Sequence, residues 1–124
     1  MTVYVYSTGS VLKTSNTEAE IRASINNRTT EDQIYRIIVW NTSSGTKTAL
    51  FDFTDPIPPN NTNHPIFFIP GYLNVSSYEV EFRFINPHIA PYIQQRYADL
   101  FNSSIFEPVY ADEMFRDSTS GNQL

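Results

Sequence analysis

This sequence predicts an all-β fold, an antiparallel β-sandwich of jelly-roll-like type with seven or eight strands. Three observations carry that prediction. Apolar and polar residues alternate with a period of two over most of the chain, the mark of half-buried strands. Clusters of Asn, Ser, Thr, Gly and Pro punctuate those runs at short, regular intervals. Aromatic residues make up 15% of the 124 positions, enough bulk for a core between two sheets. No internal repeat is visible, which excludes solenoids and propellers.

The elements follow in order. The opening MTVYVYSTGS places Val3 and Val5 on one side of a strand and Tyr4 and Tyr6 on the other. A polar stretch from Ser7 to Thr17 is broken only by Val11 and Leu12. In AEIRASINN, residues Ala19, Ile21, Ala23 and Ile25 alternate with Glu20, Arg22 and Ser24. QIYRIIVWN is apolar on both faces, which predicts a central strand. TSSGT reads as a hairpin turn with Gly45 at positive φ, and KTALFDF as the return strand.

DPIPPNNTN has too many prolines for a central strand and reads as a rigid crossing between sheets. IFFI lies between Pro65 and Pro70 as a short strand. In YEVEFRFIN, the residues Tyr78, Val80, Phe82 and Phe84 alternate with Glu79, Glu81 and Arg83. The segment from Pro87 to Asn102 reads either as a short helix or as an aromatic-pinned loop. SIFEPVY is a last strand, and the polar tail is expected to be mobile beyond Arg116.

Composition excludes several functions. The formal net charge is −5 and the few basic residues are scattered, which disfavours nucleic acid. No basic amphipathic helix suits a membrane surface. There is no cysteine, so disulfides and thiolate metal sites are excluded. No signal peptide is expected, since no basic region precedes an apolar block. Sequons at Asn27, Asn41, Asn60, Asn74 and Asn102 are what a chain rich in Asn, Ser and Thr generates by chance.

The residues offer little chemistry. His64 and His88 each adjoin a proline and read as surface residues in turns, not metal ligands. No nucleophile elbow, zinc-protease, phosphate-loop or dinucleotide motif occurs. Glu79 and Glu81 point the same way, as a glycosidase pair would, but Arg83 continues that face as a solvent-facing strand does. Asp52 and Asp55 suit backbone turn bonding better than calcium. Tyr72, Tyr78, Tyr92 and Tyr97 are candidates for a carbohydrate platform, though aromatics at strand period belong more often to a core. No enzyme activity, cofactor or metal is expected.

The runs INNRTTEDQIYRIIVWNTSSGTKTALFDF, IPPN, IFFIP and SYEVEFRF resemble the small β-sandwich subunits of bacterial endospore appendages, pilus-like fibres on spores of the Bacillus group. The likeness covers roughly residues 18 to 86 and consists of strands and turns. It implies a jelly-roll-like head, a connector strand that docks into the next subunit, and no enzymatic activity. By position, Thr2, Val3, Tyr4, Val5 and Tyr6 match the connector, and Ser7, Thr8, Gly9 and Ser10 the hinge. The better-known robust subunits carry connector cysteines. This chain has none, so the resemblance implies a non-covalent fibre.

The resulting expectation has three parts: a connector and hinge over 1–10, a sandwich head over 11–116 and a polar tail over 117–124. Candidate acceptor-groove residues are Val80 and Phe82, or Ile105, Phe106 and Val109. The chain would polymerise head to tail with itself, with a spore-surface anchor or tip protein as a further partner. It would be made in the mother cell without a signal peptide and end as a surface fibre on the spore. The competing readings are a carbohydrate- or surface-ligand-binding module and a phage or virus structural protein.

Overall fold

In the computed structural model, residues 2–13, 18–98, 104–109 and 115–120 are described. They form two antiparallel sheets. The strands are β1 (Thr2–Ser7), β2 (Val11–Leu12), β3 (Ala19–Asn27), β4 (Gln33–Asn41), β5 (Thr48–Ile57), β6 (Thr62–Asn63), β7 (Ile66–Ile69), β8 (Ser77–Phe84), β9 (Ile89–Ala98), β10 (Ser104–Val109) and β11 (Phe115–Ser120). One 3-10 turn, Gly71–Leu73, precedes β8. The first sheet runs β11-β1-β8-β4-β5, with β2 also on β8; the second runs β10-β9-β3-β6, with β7 also on β3. The connections β2–β3, β3–β4, β5–β6, β7–β8, β8–β9 and β10–β11 each change sheet, so the fold is the all-β sandwich predicted.

The alternation read from the sequence fills the core. Ile21 and Ile25 of β3, Ile37 and Val39 of β4, and Tyr78, Val80, Phe82 and Phe84 of β8 are all 0% exposed. Tyr6, Phe51 and Phe53 pack against them from the flanks. Phe67 lies 5.3 Å from Phe51 and 5.4 Å from Phe53, ring centre to ring centre, bridging the two sheets. β4 is central, paired with both β5 and β8.

β5 reaches Ile57 through Pro56. It can do so because it lies at the end of its sheet, where a missing N–H costs no ladder bond. The buried side chain of Asn27 then pins the crossing: its Nδ2 lies 3.0 Å from the carbonyl oxygens of Glu31, Ile57 and Pro58, and its Oδ1 accepts from the Thr29 N–H at 2.9 Å.

Three expectations are corrected. Residues 89–98 of the segment from Pro87 to Asn102 are neither helix nor loop but the long strand β9, paired with β3 from Ile89 to Tyr97; residues 99–102 lie outside the described residues. Ile89, Ile93 and Gln95 of that strand are buried and Pro91 is part-buried, a period of two that the helical spacing of Tyr92, Ile93 and Tyr97 masks. The boundary drawn at residue 117 falls inside β11, which pairs with β1 from Phe115 to Ser120. Backbone bonds to β1 hold that segment without any apolar periodicity of its own. Among the described residues Gly9, not Gly45, is the glycine at positive φ, at 66°.

Candidate functional site

β1 fills a slot. On one side it pairs with β8, Tyr4 opposite Phe84, Val5 opposite Arg83, Tyr6 opposite Phe82 and Ser7 opposite Glu81. On the other it pairs with β11 from Thr2 to Ser7. Directly opposed residues share a face, so Tyr4 and Tyr6 turn toward the core and Val5 and Ser7 toward the outer surface. The Tyr6 ring meets Phe84 edge-on at 5.9 Å, and Val3 is 0% exposed. The strand expected to reach another molecule therefore lies in the sheet of its own chain.

The residues expected as a hinge form a clasp. The Thr8 N–H donates to the Val80 carbonyl at 3.1 Å, and the Val80 N–H donates back to Thr8 Oγ1 at 3.0 Å. Ser7 Oγ donates to Glu79, and the Gly9 N–H donates to Ser7 Oγ at 2.9 Å. Hydroxyls then link Ser10 to Thr42 and Thr42 to Ser77, each at 2.8 Å. Gly9 makes the turn at φ 66°, which a side chain would strain.

Of the candidate groove residues, Val80 and Phe82 face the core at 0% exposure, and β8 is covered by β1 on one side and β4 on the other. The edge beside β8 is thus the slot that β1 itself occupies. β10 pairs with β9 at one end of the second sheet; the side chains of Ile105, Phe106 and Val109 lie outside what is described.

The outer face of the first sheet is closed by ion pairs. Arg36 grips Asp52 with two bonds of 2.8 and 2.7 Å, and Arg83 holds Glu81 at 2.8 Å. Ile38 sits in the row between Asp52 and Glu81 and is 1% exposed. The Arg36 hydrogen bonds hold the Asp52 carboxyl below the usual carboxylate range despite some burial. Lys47 bonds Glu79 at 2.9 Å and lies 4.9 Å over the Trp40 ring, whose buried Nε1 has no partner among the described residues.

Glu79 and Glu81 thus both lie on the outer face of β8, where each is largely covered and tied into an ion pair, Glu79 to Lys47 and Glu81 to Arg83. Asp52 and Asp55 do not converge: Asp52 shares the outer face with Ile38, while Asp55 shares the inner face with Tyr35 and accepts from Tyr35 Oη and Asn63 Nδ2, each at 3.4 Å. Burial, more than these neighbours, pushes the Tyr35 hydroxyl up.

The outer face of the second sheet is built differently. The registers on either side of β3 set rows across it: Ile66–Arg22–Gln94 and Phe68–Glu20–Arg96, with Ser24 opposite Tyr92 in the row beyond. Glu20 accepts from Arg22 at 2.8 Å and from Arg96 at 3.4 Å. Its burial alone would raise the carboxyl, but the two arginines outweigh that and hold it below the usual range.

His64 is exposed and its Nδ1 lies 3.0 Å from Ser24 Oγ. Of the candidate tyrosines, Tyr92 stands 47% exposed here and Tyr78 is buried in the core, so these two do not form one platform; Tyr72 and Tyr97 are placed by backbone alone. Sequence reasoning missed Ser24, Ile66 and Gln94, because only strand pairing reveals that they meet Tyr92 and His64. His88 is exposed in the turn before β9.

Among the described residues, no group of three or more His, Cys, Asp or Glu side chains is placed to hold a metal ion. No family model, curated protein or solved structure matches this chain.

Proposed function

We propose that this chain is a non-enzymatic structural subunit that assembles with copies of itself, β1 of one copy entering the slot between β8 and β11 of the next. The observation that carries this reading is the slot. Without β1, strand β8 would present an unpaired edge in the middle of a sheet. A β1 from a neighbour restores the same ladder and the same Tyr6–Phe84 contact, which is β-strand addition between identical chains. Such a head-to-tail contact does not close on itself and propagates as a filament.

Two further features support the reading. The outer face of the first sheet, sealed by ion pairs, suits a durable wall better than a catalytic cleft. The sequence also resembles subunits of spore-surface fibres, so we place the filament on a bacterial spore, with a cysteine-free, non-covalent joint. Light scattering and negative-stain electron microscopy of the whole chain over a concentration series test this. Concentration-dependent fibres that are absent from a variant lacking residues 1–7 are expected. A whole chain that stays monomeric at every concentration overturns the reading.

A further inference from the structure

A trough on the outer face of the second sheet has the makings of a ligand site, whether or not copies assemble. It encloses about 250 Å³ and is lined by Arg22, Ser24, His64, Ile66, Tyr92 and Gln94. Its origin is the size of one side chain. Ser24 is small and stands on the middle strand between the larger Tyr92 on β9 and His64, which leads into β7, so the surface dips along that row. Tyr92 and Ile66, each 47% exposed, offer apolar walls on opposite sides.

Polar groups line the same dip. Ser24 Oγ and His64 Nδ1 share a hydrogen bond of 3.0 Å, which ties the imidazole to the trough floor. Glu20 anchors the Arg22 guanidinium from the neighbouring row. Gln94 lies opposite Arg22 and adds an amide with both donor and acceptor. An exposed aromatic face beside planar, multi-donor groups matches a molecule with a flat C–H surface and a rim of hydroxyls. A β-linked gluco-configured pyranose has that shape, because its substituents are equatorial and leave both ring faces flat.

We propose that this trough binds one pyranose unit of a β-linked gluco-configured saccharide, its ring face on Tyr92 and its hydroxyls toward Gln94, Arg22 and His64. Glu20 offsets one of the two arginine charges beside it, so the trough carries no strong field that would demand a highly charged ligand.

Saturation-transfer difference NMR with cellotetraose and chitotetraose tests the site, and works on monomers and fibres alike. Saturable transfer to the ring protons of at least one saccharide is expected. Tyr92→Ala should weaken it about tenfold, and Ser24→Leu, which fills the trough, should abolish it. Ile34→Ala, on the other sheet, serves as the control and should bind as the parent does. No saturable transfer from either saccharide overturns the proposal. So does undiminished binding by folded Tyr92→Ala and Ser24→Leu variants.

Discussion

The two sheets share one core but present different outer faces. On the first, a buried apolar residue, Ile38, occupies the middle of the surface, and the Arg36–Asp52 and Arg83–Glu81 pairs stand beside it. On the second, a buried acid, Glu20, organises two arginines, and the adjoining row opens at Ser24 into a trough. One face is closed by packing beneath charge; on the other a buried charge holds one row and the surface beyond it lies open. Long side chains that pair across a filled row leave a wall, whereas a small residue in mid-row leaves a recess.

Ile38→Ala sharpens that contrast most. It removes a 1% exposed side chain from a row with no small neighbour to collapse into the gap, and should cost about 3 kcal/mol in urea unfolding. The matching change on the other face, Ile66→Ala at 47% exposure, should cost less than about 0.5 kcal/mol. Equal losses would mean the two faces are not built differently.

Glu20→Ala comes next, at about 2 kcal/mol, because it removes from a buried position the acceptor that Arg22 and Arg96 share. Asp52→Ala on the first face should cost only about 0.5 kcal/mol, since Asp52 is 40% exposed and solvent screens its pair.

Acid separates the same two residues. Both carboxyls sit below their ordinary values in the folded chain, so both stabilise it at neutral pH. That contribution is complete above the ordinary carboxylate value and disappears as pH falls through the lowered ones. Stability should therefore drop below about pH 4. Thermal melts across that range should show Glu20→Gln flattening the loss more than Asp52→Asn does.

A last pair of expected effects lies at glycines. Gly9→Ala forces a side chain to φ 66° and should cost about 1 kcal/mol, loosening the clasp that holds β1. Gly45→Ala, with nothing within 4 Å of the new methyl group, should be neutral or slightly stabilising. A larger penalty at Gly45 than at Gly9 would contradict this backbone assignment.

The core was legible in the sequence because β3, β4 and β8 alternate cleanly, and Tyr78, Val80, Phe82 and Phe84 lie where that period puts them. β9 was hidden because Tyr92, Gln94 and Arg96 on its outer face mix aromatic, polar and charged types, so no face reads as apolar or polar throughout. β11 was hidden because it has almost no apolar pattern; its partner β1 recruits it through backbone bonds, which leave no trace in composition. The trough was illegible for a related reason. Ser24, Ile66 and Tyr92 are far apart in sequence, and only the pairings of β3 with β7 and with β9 bring them to neighbouring rows.

The central claim is that β1 belongs to a slot any copy can fill. The chain has no cysteine, so introduced thiols report on it cleanly. Val5 and Arg83 face each other across β1 and β8, within disulfide reach. The decisive measurement mixes two single variants, Val5→Cys and Arg83→Cys, under assembly conditions, oxidises the mixture and resolves it on a non-reducing gel. Strand exchange predicts a covalent heterodimer joined through residues 5 and 83. No heterodimer from the mixture, with ready internal cross-linking when both cysteines share one chain, would show that β1 stays at home and would contradict the assembly reading.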